Sequence, residues 1–301
     1  MLQAILRKGR VVGEQVPLPA ISEDSVLVKA AYSCISTGTE VSTLKTSEKS
    51  IIRKALERPE YVKQAINMVR SEGIARTLDK IKGKLDAGSA IGYSLSGIVI
   101  ATGENLKGFE IGDRVACAGT GMANHAEYVD VPKNLIVKIP IGLGFREAST
   151  VALGAIAMQG IRRASLEMGE YVVVYGLGNI GQLVLQMAMN AGCTVIGIDL
   201  DERRLIIAKE NGADLVLSPS NSDIVKEVTH FTDGIGADKV LFAAATSSSE
   251  PLHHAFQMAR RKGRVVLVGV SGMELKREDL YPKELDFLIS TSYGPGRYDD
   301  N

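Results

Sequence analysis

The chain has few cysteines, few aromatic residues and no tryptophan. Its three cysteines, Cys34, Cys117 and Cys193, are far apart and form no Cys-x-x-Cys pair, which argues against a disulfide framework and favours reduced thiols. Charge of one sign is not in excess, because 35 Lys and Arg balance 35 Asp and Glu. No apolar run approaches the ~18 residues of a membrane span, and the N-terminal residues do not form a signal peptide. We therefore expect a cytoplasmic protein that binds neither nucleic acid nor membrane.

Glycine, by contrast, is abundant, with 31 in 301 residues. Such an excess indicates tight turns or places where the backbone approaches a ligand closely. The hydrophobic content of 45% is enough for a sizeable core, and the length suits two domains of roughly 100–200 residues each.

The predicted secondary structure changes near residue 143 and divides the chain into two regions. Residues 1–143 contain short β-like runs bounded by Gly, Pro, Asn and Asp, which predicts a barrel or sandwich. Helical spacing interrupts this region at about 47–86 and predicts a helical insertion. Residues 41–90 carry eleven Lys and Arg against six Asp and Glu. This local positive charge indicates either a helix surface that faces water, or a lid or surface that attracts an acidic substrate or partner. From 144 to 290, including an apolar helix at 146–168, helices alternate with strands and predict a doubly wound parallel sheet, an α/β fold.

A glycine motif lies at the predicted junction between the first strand and helix of this second region. Gly176, Gly178 and Gly181 form G-x-G-x-x-G, in which the glycines allow a tight turn, approach to a pyrophosphate and close helix packing. Asp199 ends the next strand, where a carboxylate can accept hydrogen bonds from a ribose. A glycine turn with an N-capping aspartate is the alternative, but the complete pattern predicts a dinucleotide site.

The same aspartate predicts NAD in preference to NADP, because its charge would repel a 2′-phosphate. Arg203 and Arg204 follow closely and are the alternative, since either can pair with that phosphate. The predicted cofactor-binding residues are Gly176, Leu177, Gly178, Asn179, Ile180, Gly181, Asp199, Leu200, Arg204, Ala244, Val268, Gly269 and Val270.

The motifs of the whole chain together resemble those of the medium-chain dehydrogenase/reductase superfamily, the alcohol-dehydrogenase-like enzymes. The resemblance rests on residues 28–34 and 97–103, the Gly-Asp-Arg-Val turn at 112–115, the Ala-Glu-Tyr-Val segment at 126–129 and the glycine motif. More narrowly, residues 34–40, the basic insertion and residues 292–298 resemble the dehydrogenase half of bacterial bi-domain oxidoreductases, which are associated with polysaccharide biosynthesis.

The resemblance implies a GroES-like β-barrel catalytic domain at 1–143, a Rossmann domain at 144–290 and a return segment cut short at 291–301. It also implies a homodimer formed through the last Rossmann strands near 285–290, or a fused or partner oxidoreductase module. A small molecule is the expected substrate.

Classical members of the superfamily use a catalytic zinc, and here the resemblance holds only in part. Cys34 matches the first zinc ligand, and Ser36 matches the hydroxyl that relays the alcohol proton. The Gly-His-Glu of the family is replaced by Gly-Tyr-Ser at residues 92–94, the third ligand position falls near Ala152, and the four-cysteine structural zinc lobe is missing. One ligand of three predicts that the family's zinc site is absent. A rebuilt site is the alternative, with donors drawn from Cys34, Glu40, Cys117 and His125.

Without a metal, hydroxyl groups are the candidates for donating to an oxyanion. The predicted catalytic residues are Ser36, Thr39, Tyr93 and Cys34. We expect an NAD-dependent oxidoreductase that moves hydride between the nicotinamide and an alcohol or carbonyl, on a sugar or nucleotide-sugar. The alternatives are a zinc-free NADPH-dependent quinone-reductase-like enzyme and a non-catalytic dinucleotide-binding module, the half of a fused enzyme.

Overall fold

A computed structural model describes residues 1–7, 9–36, 38, 40 and 88–297. The predicted helical insertion at 47–86, Thr39 and residues 298–301 lie outside the described residues. The chain divides into two compact units, Met1–Ala152 and Leu153–Asn301.

The first unit is built on two antiparallel sheets. The small sheet has the order β2-β1-β4. Its strands are β1 (Leu2–Arg7), β2 (Arg10–Gln15) and β4 (Ser89–Ala90). The larger sheet has the order β7-β3-β5-β6-β8. Its strands are β3 (Ser25–Ser33), β5 (Ser94–Thr102), β6 (Arg114–Ala118), β7 (Tyr128–Pro132) and β8 (Ile136–Lys138). β-Branched residues favour strands. In β3 and β5, Val26, Val28 and Val99 are fully buried and form part of an aliphatic core.

The second unit is a six-stranded parallel sheet of order β11-β10-β9-β12-β13-β14, as the alternating pattern predicts. Its strands are β9 (Tyr171–Tyr175), β10 (Thr194–Ile198), β11 (Leu215–Leu217), β12 (Ala237–Phe242), β13 (Ala259–Leu267) and β14 (Asp286–Ile289). The chain leaves β9 toward β10 on one side and later returns to β12 on the other. The strand order therefore reverses between β9 and β12, and ligands of such sheets bind at the carboxyl ends of the strands at this point.

Helices connect the strands of the second unit. The α-helices are α1 (Phe145–Ala148), α2 (Val151–Ala164), α3 (Asn179–Asn190), α4 (Glu202–Glu210), α5 (Ile224–Phe231), α6 (Glu250–Met258) and α7 (Arg277–Leu280), of which α1 belongs to the first unit. None of the helices in the described ranges is long and apolar enough to cross a membrane.

The helix predicted at 146–168 is broken in two, and the first unit continues past the predicted end at 143. Ser149 closes α1 by donating to the carbonyl of Arg146 (2.7 Å). The hydroxyl of Ser94 in β5 then donates to the carbonyl of Ser149 (2.6 Å) and accepts from the amide of Ala152 (3.1 Å). These bonds interrupt the helix and attach residues 145–152 to the sheet of the first unit.

Candidate functional site

The glycine loop joins β9 to α3, and two of its glycines are required by the fold. Gly176 has a φ of +94°, and a Cβ there would overlap the backbone of Ala244. A Cβ on Gly181 would overlap the carbonyl of Gly176, so α3 can approach the loop closely only with glycine here. Both roles are those expected from the motif.

Gly178 is different, because the fold does not explain it. Its φ of −66° is accessible to any residue, and a Cβ on it would meet no heavy atom within 4 Å. It is the N-cap of α3, but it offers no side chain to cap the first turn. The space above it therefore lies where backbone N–H groups and the helix dipole favour an anion. This open cradle fits the pyrophosphate of a dinucleotide, with Asn179 and Ile180 as the first helical residues.

Asp199 stands beside this loop at the end of β10. Its side chain is only 8% exposed. The carboxylate accepts from the amide of Leu177 (2.7 Å) and the amide of Asp201 (2.9 Å), and Arg204 reaches the same oxygen as Leu177 at 3.3 Å. The carboxylate thus ties the glycine loop to the end of β10, and its predicted hydrogen bonds to a ribose stay a prediction. Leu200, the next residue, is exposed.

The neighbouring phenol of Tyr175 lies where its ionised form is disfavoured. Burial, followed by the carboxylates of Glu250 and Asp199, raises the pKa of Tyr175 to about 12. Its ring instead stacks on Phe242, with centroids 5.2 Å apart, and helps to hold β9 against β12.

The remaining predicted cofactor residues lie at the adjoining strand ends. Ala244 contacts Gly176, and the carbonyl of Ala244 accepts from the amide of Val270 (3.0 Å). Gly269 packs against the same carbonyl so tightly that a Cβ would overlap it. The amide of Val268 donates to Phe242, and its side chain packs on the core. The structure thus brings Gly176, Asp199, Ala244 and Gly269 to one edge of the sheet, but their contacts with a cofactor stay a prediction.

In the first unit, a carboxylate and an imidazole lie close to the predicted catalytic residues. Glu40 accepts from the amide of Ser36 (3.0 Å), and its two oxygens lie 3.2 Å from Nε2 of His125. Ser36 is buried, and Cys34 is half-buried. Burial and then the charge of Glu40 raise the pKa of the Cys34 thiol. The sequence predicts His125 only as one donor of a rebuilt metal site. No local pattern predicts its hydrogen bond to Glu40, 85 residues away in the chain.

The positions that hold zinc in the family carry different chemistry here. Tyr93 is buried, and its hydroxyl has no hydrogen-bond partner within the part of the chain that the structure describes. Ser94 is occupied by its bonds to residues 149 and 152, as described above. Cys117 is buried in β6, where desolvation strongly raises the pKa of its thiol.

These residues do not fit a catalytic zinc. Among the described residues, no three His, Cys, Asp or Glu side chains gather as a metal site. A phenol, a committed serine and Ala152 also do not supply the deprotonated thiolate, imidazole and carboxylate donors that zinc prefers. The absence of zinc from the protein stays a prediction.

A nucleotide loop on a parallel sheet, preceded by a unit of antiparallel sheets, is the organisation of the alcohol-dehydrogenase-like class. Two family models match the chain: an alcohol dehydrogenase GroES-like domain at residues 66–141 and a zinc-binding dehydrogenase domain at residues 179–300. The chain belongs to the medium-chain dehydrogenase/reductase superfamily. The predicted fold class, a GroES-like domain followed by a Rossmann-like parallel sheet, is confirmed.

Individual relatives match over different shares of the chain. D-guloside 3-dehydrogenase of Escherichia coli is 34% identical over 153 residues, which cover 50% of this chain and 43% of that protein. The match thus spans less than half of that relative's length. D-arabitol-phosphate dehydrogenase of Enterococcus avium is 25% identical over 311 residues, 92% of this chain and 78% of the relative. A zinc-binding dehydrogenase structure from Sinorhizobium meliloti, bound to NADP, superimposes with a TM-score of 0.76 at 22% identity, covering 99% of this chain and 86% of that one.

Proposed function

We propose that the chain is an NAD-dependent oxidoreductase that moves hydride between the nicotinamide and an alcohol or carbonyl carbon of a sugar or polyol. The observation that carries the proposal is the open cradle above Gly178, a glycine that neither backbone conformation nor packing requires. Asp199 supports it, since a nearly buried carboxylate lies where the ribose of the cofactor binds in this fold. The bound nicotinamide would supply the hydride chemistry.

NAD is favoured over NADP because the negative charge of Asp199 would repel the 2′-phosphate of NADP. Arg204 supports the alternative, since its guanidinium is half exposed and only 3.3 Å from that carboxylate. We expect NADH to bind at least about tenfold more tightly than NADPH, a difference of ~1.4 kcal/mol. Titration of nicotinamide fluorescence measures both constants. Tighter binding of NADPH would contradict the assignment to Asp199, and a matched Arg204→Ala variant should weaken NADPH more than NADH.

We further propose that the reaction proceeds without the family's catalytic zinc. The hydroxyls of Ser36 and Tyr93 are the groups that would donate to the substrate oxygen. The buried phenol of Tyr93, which has no hydrogen-bond partner among the described residues, supports this role. Elemental analysis by mass spectrometry of protein purified without chelator tests the claim. We expect well under one zinc per chain, and stoichiometric zinc would contradict it.

The names of three relatives support the substrate class. They are dehydrogenases of a guloside, of sorbitol and of a sugar alcohol phosphate. The basic segment at 41–90 supports a phosphorylated or nucleotide-linked sugar. Turnover should be screened with polyols, sugar phosphates, nucleotide-sugars and quinones, each with both nicotinamide cofactors. Reduction of quinones with NADPH alone would support the quinone-reductase alternative. NADH binding without any turnover would support the non-catalytic module, to which the missing zinc donors already point.

Assembly belongs to the same proposal. β14 is the edge strand of the sheet, and Ile289 on it is exposed, so a second copy of the chain can extend the sheet there. A partner or fused oxidoreductase module is the alternative occupant. Light scattering of the purified chain separates the two, with a homodimer expected.

We place this activity in the cytoplasm and in polysaccharide biosynthesis.

A further inference from the structure

Gln182 lies in the first turn of α3, and the roles assigned above do not use it. Its side-chain Nε2 donates to the carbonyl of Leu177 in the glycine loop (3.4 Å) and to the carbonyl of Arg204 in the first turn of α4 (2.9 Å). Its Oε1 accepts from Nδ2 of Asn211, the C-cap of α4 (3.4 Å). Because both the nitrogen and the oxygen of this amide have partners, the side chain of Gln182 is held in one orientation.

The backbone of Gln182 adds a second contact with the loop. Its amide donates to the carbonyl of Gly178 (2.9 Å), which is the first hydrogen bond of α3. Gln182 therefore holds two successive carbonyls, that of Leu177 through its side chain and that of Gly178 through its backbone. Asp199 holds the other side of Leu177, because its carboxylate accepts from the Leu177 amide (2.7 Å). The peptide groups before and after Leu177 are thus each fixed by a side chain.

These contacts decide which way two amides of the loop point. In a planar trans peptide the N–H group points opposite to the carbonyl oxygen, and the peptides of this loop are trans. The amides of Gly178 and Asn179 belong to the same peptide groups as the two carbonyls that Gln182 holds. They therefore point out of the N-terminal end of α3, and no backbone carbonyl among the described residues accepts from either. An anion at this end of the helix can accept from both.

The glycine at position 178 makes such a restraint necessary. Because glycine has no Cβ, the peptide groups beside it can rotate into orientations that other residues do not adopt. Packing does not restrain it either, since a Cβ on Gly178 would meet no heavy atom within 4 Å. A rotated Leu177–Gly178 peptide would turn its carbonyl oxygen toward the pyrophosphate and repel it. The hydrogen bond from Gln182 opposes this rotation.

We propose that Gln182 is a positioning residue of the cofactor site, which orients the amides of Gly178 and Asn179 toward the pyrophosphate of the dinucleotide. The inference rests on the proposed function, because it assigns a role at the same dinucleotide site. Gln182 acts through the two carbonyls that it holds and does not itself touch the cofactor. Ligands that carry a diphosphate should therefore depend on Gln182, whereas a ligand without phosphate groups should not.

The test compares the binding of NADH, ADP-ribose and adenosine to the full chain and its variants. NADH is titrated by its fluorescence, and the other two ligands are measured by their displacement of NADH. Gln182→Met keeps the length and helix propensity of the side chain but removes its donors. We expect NADH and ADP-ribose to bind about tenfold more weakly to this variant, and adenosine to stay within about twofold of its affinity for the unaltered chain.

Gln186→Met is the matched control. Gln186 lies one turn later on the same helix, and its Nε2 donates to the backbone carbonyl of Gln182 (3.1 Å). All three ligands should bind this variant within about twofold of the unaltered chain.

A second variant covers the case in which Gln182→Met does not fold. Asn211→Ala removes the group that orients the Gln182 amide, at an exposed position on the end of α4. We expect ADP-ribose to bind about threefold more weakly and adenosine to bind as before. Thermal unfolding identifies the variants that fold.

The outcomes separate this role from the proposed function. Unchanged affinity for ADP-ribose in Gln182→Met, or in Asn211→Ala where Gln182→Met is unfolded, would overturn the role and leave the proposed function standing. An equal loss for adenosine and ADP-ribose would also overturn it, because the contact would then only hold α3 against α4. An unaltered chain that binds none of the three ligands would refute the dinucleotide site and the role of Gln182 together.

Discussion

Three glycines share one loop, and the reasons for them differ. Gly176 needs its left-handed backbone, Gly181 needs contact with the loop carbonyl, and Gly178 has only empty space above it. A substitution at Gly178 should therefore affect cofactor binding, and one at Gly176 or Gly181 should affect folding.

We predict that Gly178→Val leaves the thermal midpoint within a few degrees but abolishes NADH binding, because the side chain fills the space of the pyrophosphate. Gly181→Ala should instead lower stability by several kcal/mol, because its Cβ overlaps backbone. Calorimetry with NADH and thermal unfolding measure both. Unchanged NADH affinity in Gly178→Val would count against the site, provided that the variant melts like the unaltered protein.

The thiol of Cys34 gives a second test at this scale. Burial and then Glu40 raise its pKa, so its thiolate forms only at higher pH than in an ordinary cysteine. We predict slow alkylation by iodoacetamide at pH 8, with the rate rising as the pH passes the usual range of a thiol. Glu40→Gln should raise the rate at pH 8 a few-fold, because it removes the smaller of the two causes.

Cys34→Ser identifies the reacting thiol, since Cys117 and Cys193 are buried. Alkylation at the rate of a free thiol, or no response to Glu40→Gln, would contradict the environment described here.

Individual residues were predictable where a local motif defines them. The glycines and Asp199 lie together as the 18-residue spacing predicts. The contact of Glu40 with His125 was not predictable, because it depends on how β3 and the loop before β7 meet in three dimensions. The two hydrogen bonds by which Ser94 breaks the helix between α1 and α2 were not predictable for the same reason, since its partners lie 55 and 58 residues away.

At the scale of elements, α6 ends on an unusual cap. The ammonium of Lys283 donates to the carbonyls of Phe256 (3.4 Å), Gln257 (2.6 Å) and Ala259 (2.8 Å). These are carbonyls at and just beyond the helix C-terminus, where a positive charge is stabilising. Desolvation lowers the pKa of Lys283, and the nearby Asp279 opposes the shift.

We predict that Lys283→Met lowers the free energy of unfolding by about 1–3 kcal/mol, because the carbonyls lose a charged donor while the aliphatic packing remains. Urea unfolding measures the change. Lys226→Met is the control, since that side chain is 83% exposed and pairs with Asp223, the N-cap of its own helix three residues earlier. Equal effects of the two substitutions would show that the cap is not stabilising.

Most elements followed the sequence pattern, but a continuous apolar pattern did not always give a continuous element. Alternating strands and helices predicted the parallel sheet, and short runs bounded by turn residues predicted the antiparallel one. The break between α1 and α2 was missed because the apolar pattern continues through it. The hydroxyl of Ser94, which is distant in the chain, competes for the helical hydrogen bonds there.

At the scale of the whole molecule, ligand binding should appear as stability. A nucleotide that binds only the folded state adds about 2.7 kcal/mol when its concentration is a hundred times the dissociation constant. We predict that NADH raises the midpoint of thermal unfolding by several degrees and that NADPH at equal concentration raises it less. Gly178→Val should show no rise with either. A larger rise with NADPH would reverse the predicted cofactor preference.

The freedom to place a side chain on Gly178 without a clash also offers a tool for genetics. We expect a single-codon change there, Gly178→Val, to yield a chain that folds but carries no coenzyme. Replacing the chromosomal copy with this allele would separate phenotypes caused by lost chemistry from those caused by a missing physical partner, a distinction that a gene deletion does not make.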